Sequence, residues 1–282
     1  MCNVLHSNAQ VWLFFFLSYS PLLRYGVLPG YGIHMQNGFQ DTFTATTQGA
    51  LEVGALEVGA LPYARGLIDH QWSNYVREDG LINYRAEELA QSSRMLTLLA
   101  LYHSYTSAGD AALLLRHFDK AKAMADWLMA RRNASTLAFD PADPRHGILP
   151  GTDEGDDYKV QYAHQSPQSH WYAANAEAYR AFTELGQVWV EIGVAANGTR
   201  QDVTAHGETL LRVAPLLYHD LHRSLNLTMN TTASPGHRCY PHRADGVGSY
   251  QGCNFRSYVE KRRGTKMKKP VPGMLYDVCC TV

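Results

Sequence analysis

The 282-residue sequence is short of cysteine, of charge and of long apolar runs. Five cysteines are an odd number and do not make a disulfide framework; only Cys239 and Cys253 lie away from the ends. Charged residues are 18% of the chain and hydrophobic residues 45%, a balance that argues against a disordered chain. The apolar run Val11–Leu17 is too short to span a bilayer, so a membrane is not an expected partner. That run has the length of a secretory leader's apolar core, but no Lys or Arg precedes it. A net charge of −1 gives no general footprint for nucleic acid. No nucleotide-binding glycine loop is present, since Gly30, Gly32 and Gly38 lack a strand–helix context. G-x-S-x-G, H-E-x-x-H and paired C-x-x-C motifs are also missing, and no cofactor is expected.

The near-neutral total hides two unlike parts. Six of the 25 basic residues and one of the 26 acidic residues fall in 261–282. That leaves 19 against 25, a charge of −6, on residues 1–260. Three regions follow. Residues 1–24 are a leader or an apolar segment, 25–260 carry the fold, and 261–282 form a basic tail with no expected structure. On its own K-R-R-G-T-K-M-K-K would read as a localisation patch, against which the acidic body argues. Sequons at Asn133, Asn197, Asn226 and Asn230 lean towards the secretory route.

Strand signals are scarce and helical periods are long, which predicts an all-α fold. A helix is expected over 42–59, across the tandem L-E-V-G-A units at 51–55 and 56–60. Pro62 suits the first turn of the next, to about Val76. Residues 87–105 are apolar nearly all round and predict a buried helix. Asp110 caps one amphipathic helix to about Arg131, with Leu114, His117, Phe118, Ala121, Ala125 and Leu128 on its inner stripe. Ser166-Pro167 opens another to about Val194, with Trp171, Ala174, Ala178, Phe182, Leu185 and Trp189 at core spacing. Asp202 caps the last, with Leu210, Ala214, Leu217 and Leu221 inside and a kink or split at Pro215.

The connections alternate between short and long. Antiparallel helices alternate ends, so the long loops at 77–86, 133–165 and 225–260 gather at one end. Long loops in a compact domain are usually functional.

The loop at 147–158 crowds Asp153, Glu154, Asp156 and Asp157 into five positions. Like charges this close raise one another's pKa, as a general acid for glycosidic cleavage requires. Hard-cation binding and a solvated acidic loop are the other readings, and no EF-hand spacing supports the first of these. The loop at 77–86 adds Tyr84, with Asp79-Gly80 making a bend. The loop at 234–246 holds His237, Cys239 and His242, whose H-x-C-x-x-H spacing matches no zinc signature. No metal is expected there. Arg238 and His242 instead form a polar rim that meets substrate hydroxyls.

The segments R-E-D-G-L-I-N-Y at 77–84, H-G-I-L-P-G-T-D-E-G-D-D-Y at 146–158 and H-W-Y-A-A-N-A-E-A-Y-R-A-F at 170–182 resemble the six-hairpin glycosidase-like superfamily, the (α/α)6 toroid enzymes. The resemblance covers about 25–258 and implies an incomplete toroid of antiparallel helical hairpins, since about six helices make half a ring. It implies a glycoside hydrolase acting by general acid–base cleavage on a carbohydrate partner, inactive if the missing half carries its base. Glu154 or Asp157 is the implied acid, with Asp153 and Asp156 beside it. His170, Trp171 and Tyr172 would line a sugar subsite with Tyr84, Arg238 and His242. The same superfamily includes lyases, phosphorylases and epimerases. The alternative is a glycan-binding or scaffold remnant without catalysis.

Overall fold

A computed structural model describes residues 24–25, 28–29, 53–82, 89–106, 109–151, 169–197, 199–229 and 244. These residues are mostly helical. Two-residue strands β1 (Arg24–Tyr25) and β2 (Leu28–Pro29) pair antiparallel, Arg24 with Pro29 and Tyr25 with Leu28. The helices are α1 (Leu61–Asn74), α2 (Leu89–Tyr105), α3 (Ala111–Arg116), α4 (Phe118–Ala138), α5 (Tyr172–Ala195) and α6 (Gln201–Thr228).

The duplicated L-E-V-G-A unit takes two conformations. Residues 53–57 are helical, so Gly54 of the first copy lies within a helix. Gly59 of the second copy ends it at φ +74°, and the Ala60 N–H returns to the Ala55 carbonyl at 2.8 Å. A left-handed glycine is a common way to stop a helix. The remainder of the expected helix over 42–59 lies outside the described residues.

Cross-helix contacts fix the directions. Arg65 in the second turn of α1 pairs with Asp110 at 2.6 Å, and Asp69 pairs with Arg116 and His117 at 2.8 Å each. α1 therefore runs parallel to α3 and α4. Arg94 near the start of α2 meets Glu177 near the start of α5 at 3.1 Å. Phe118 at the start of α4 packs edge-on to Trp189 near the end of α5, with ring centres 5.2 Å apart. Tyr172 at the start of α5 bonds Ser224 and Thr228 at the end of α6. α1, α4 and α6 thus run one way, and α2 and α5 the other.

The core follows the helical stripes. Leu114, His117, Phe118, Ala121, Ala125 and Leu128 are all buried, as are Ala174, Ala178, Phe182, Leu185 and Trp189. So are Met95, Leu96, Leu98, Leu99, Ala100 and Tyr102 of α2, the helix that is apolar nearly all round. α5 and α6 form the most extensively packed pair. Their approach depends on glycine: a Cβ on Gly207 would lie 2.7 Å from the Gly186 carbonyl oxygen and 2.9 Å from the Trp189 Cβ.

Four local expectations are corrected. The helix expected over 110–131 is interrupted at His117 and continues to Ala138. The buried His117 ring lies on Trp72 and bonds Asp69 at 2.8 Å, which holds that residue in the break. Asp110 does cap α3, accepting from the Leu113 N–H at 3.2 Å. The helix expected from Ser166-Pro167 begins only at Tyr172, because Ser169 and His170 spend their carbonyls on Gly151 and Ala244. Asp202 lies in the first turn of α6 paired with Arg200, not at the cap. Pro215 does not split α6, which is continuous through it. Pro215 is exposed, so water can satisfy the carbonyl that its missing N–H leaves free.

His206 of α6 is buried, with its ring 5.9 Å from Phe118, edge to face. Burial holds its pKa down to about 4, from an ordinary value of 6.5. The sign follows from the lowered folded value. The unfolded chain takes up the proton first as pH falls. The stability from a neutral His206 is complete above pH 6.5 and is lost progressively towards pH 4. His117 is shifted the same way by burial. Urea titrations are expected to lose up to about 1.4 kcal/mol per pH unit across that window from His206. His206→Leu should flatten the slope. An unchanged slope would contradict the assignment.

Candidate functional site

Of the three long connections, the one after α1 packs near the start of α4, whereas the one between α4 and α5 and the one after α6 leave from the opposite end of the bundle. The first is a tight turn. Val76 and Ile82 bridge antiparallel, the Gly80 N–H bonds the Arg77 carbonyl at 3.0 Å, and the Leu81 N–H bonds the Asp79 carboxylate at 3.1 Å. Asp79-Gly80 makes the bend, with Gly80 at φ +78°. The turn lies against the first turns of α4, where Lys120 donates to the Val76 carbonyl at 2.7 Å.

The second connection is tied down along residues 139–151. Asp143 grips the Arg145 guanidinium at 2.7 and 3.0 Å, and that partner holds its carboxyl down to about 2. The Arg145 guanidinium also lies 4.1 Å from the centre of the Phe139 ring. Ser135 donates to the Arg145 carbonyl at 2.6 Å, and His146 Nδ1 lies 2.8 Å from the Phe139 carbonyl oxygen. Arg223 of α6 donates to the carbonyls of Pro141, Asp143 and His146. Gly147 has φ +73°, and a Cβ there would strike the Asp220 carboxylate. Asp220 itself pairs with Arg132 in a largely buried ion pair.

The loop then enters the core. Ile148 and Leu149 are fully buried. The Asn175 amide brackets Leu149, accepting its N–H at 2.8 Å and donating to its carbonyl at 3.1 Å. Arg131 donates to the Pro150 carbonyl at 2.7 Å. The Gly151 N–H meets the Ser169 carbonyl at 2.8 Å. That last bond holds together the two ends of the segment 152–168, which contains the four clustered carboxylates.

Of the residues singled out in the sequence, three are described. His170 is buried edge-on to Phe139, ring centres 5.5 Å apart, and its carbonyl accepts the Ala244 N–H at 2.9 Å. Trp171 is half-buried at the start of α5, packed against the main core. Tyr172 is buried with Ile148, Leu221 and Ala244, and its hydroxyl lies 2.9 Å from that of Ser224 and 2.8 Å from that of Thr228. Asp153, Glu154, Asp156, Asp157, Tyr84, Arg238 and His242 lie outside the described residues. So do His237, Cys239 and the basic tail. Ala244, from the third long connection, sits on the second one, so two of the long connections are joined directly.

Asn175, Arg223 and the Arg132–Asp220 pair escaped the sequence reading. A signal existed for Asn175: it stands one position after Ala174 and three before Ala178 on the buried stripe of α5, where a polar side chain needs a partner. No comparable signal marks Arg223 or Asp220, whose partners lie 77 to 88 residues away.

Among the described residues no group of three or more His, Cys, Asp or Glu is placed to hold a metal ion, and no helix is long and apolar enough to cross a membrane. Compared with protein-family models, curated proteins and solved structures, the chain matches none of them.

Proposed function

We propose that the chain is a carbohydrate-active domain of the α/α-hairpin type, acting by general acid–base cleavage of a glycosidic bond at the end where its long connections meet. The observation that carries the reading is the anchoring of the 139–151 loop. Arg223, Asn175, Arg131 and the Gly151–Ser169 bond hold both roots of the acidic segment against α5 and α6. A site needs such support, because catalytic groups act only when held in place. Glu154 or Asp157 is the general acid in this proposal, and crowding by Asp153 and Asp156 keeps its proton on near neutral pH. Trp171, half-buried at the start of α5, is the aromatic ring in this proposal that stacks on the C–H face of a sugar.

The test is glycan turnover by the full chain and by Glu154→Gln and Asp157→Asn on an oligosaccharide panel. Release of reducing ends should fall at least tenfold in one of the two variants, while melting temperature stays unchanged. Equal turnover in both variants would remove these carboxylates from the reaction. Binding without turnover in the parent chain would leave a glycan-binding module instead of an enzyme.

A further inference from the structure

We infer that Asn197 is an N-glycosylation acceptor, and that the sequons at Asn133 and Asn226 are not used. Asn-x-Ser/Thr is recognised with the asparagine amide and the hydroxyl presented together, and it belongs in surface loops. In an α-helix, residues two apart point to nearly opposite sides and do not face each other. Asn133-Ala134-Ser135 lies within α4, with Asn133 exposed and Ser135 buried. The Ser135 hydroxyl is committed to the Arg145 carbonyl at 2.6 Å. Asn226-Leu227-Thr228 ends α6, with Asn226 exposed. The Thr228 hydroxyl there is tied to the Ser224 carbonyl at 2.9 Å and to the Tyr172 hydroxyl at 2.8 Å.

The sequon Asn197-Gly198-Thr199 is placed differently. It falls in the short turn between α5 and α6, and Asn197 and Thr199 are both exposed; the Thr199 hydroxyl donates to the Ala196 carbonyl at 2.7 Å, but at the surface and within the turn rather than inside a helix. Asn197 adopts φ +50°, the left-handed conformation that asparagine tolerates in turns. Beside it runs an open groove of about 460 Å³, lined by Val194, Gln201, Thr204 and Glu208. Val194 is 65% exposed, an apolar surface that the first sugar residue can cover. The turn lies at the opposite end of the bundle from the 139–151 loop, so a glycan there leaves the proposed site open.

The reaction is a group transfer without redox change. The Asn197 Nδ2 forms a bond to C1 of the reducing-end sugar of a lipid-linked oligosaccharyl diphosphate. The C1–O bond to phosphate breaks, the lipid diphosphate departs with the electron pair, and the amide gives up one proton to the transferase.

The full chain, expressed in a eukaryotic cell line, should carry a glycan on Asn197. Enzymatic deglycosylation in heavy-oxygen water followed by peptide mass spectrometry reads each sequon separately. Asn197→Gln and Thr199→Ala should each remove one glycan from the gel ladder, and Thr199→Ser should retain it. Asn133→Gln and Asn226→Gln should change nothing. An unmodified Asn197, or a ladder that Asn197→Gln leaves unaltered, would overturn the inference. Occupancy of Asn133 or Asn226 in its place would do the same.

Discussion

Replacing Gly80 with alanine should cost the fold about 3 kcal/mol and lower the melting temperature by roughly 6–12 °C. Two penalties combine at this position. Gly80 has φ +78°, where any side chain is strained. A Cβ there would also lie 2.2 Å from the Met124 backbone nitrogen and 2.6 Å from the Ala123 carbonyl carbon. Helix backbone cannot yield as a flexible side chain can, so the 76–82 turn must lift away from α4. Lifting it breaks the bond from Lys120 to the Val76 carbonyl. Thermal melting followed by circular dichroism reads the effect. A shift of less than about 2 °C would mean that the turn does not rest on α4 as described.

The second large effect concerns Arg132 and Asp220. Their side chains are only 12% and 10% exposed. Removing one partner leaves the other charge buried without its counterion, which typically costs 3–5 kcal/mol, whereas replacing both with apolar residues is often close to neutral. Asp220→Ala should therefore destabilise the protein by about 3–5 kcal/mol, and Arg132→Met with Asp220→Leu should recover most of that loss. A double-mutant cycle in urea checks both statements. Additive single effects would show that the pair is not coupled. The pair also bears on the loop, since Asp220 packs against Gly147 at the point where residues 139–151 turn inwards.

Much of the fold was legible in the sequence. The stripes of α4, α5 and α6 and the unbroken apolarity of α2 reflect burial directly, because a buried helix face repeats apolar residues at the helical period. Helix ends were less legible. The start of α5 is decided by Gly151 and Ala244, which take the carbonyls of Ser169 and His170, and such partners leave no local trace. The break at His117 depends on Asp69, forty-eight residues earlier. At the candidate site, alternating helix direction brings the α4–α5 connection and the chain after α6 together, but the turn after α1 does not join them, because the short α1 pairs with the start of α4. The parts that brace the loop do not follow from helix direction. Arg223 looks like a surface residue in its own helix and gains meaning only from three carbonyls of another segment.

The most direct measurement of the central claim is hydrogen–deuterium exchange of the full chain with and without an oligosaccharide that it binds. The account predicts slowed exchange in peptides covering 139–171 and the end of α6, with none at the 193–205 turn. Protection confined to 193–205, or the absence of binding across a broad oligosaccharide panel, would contradict it.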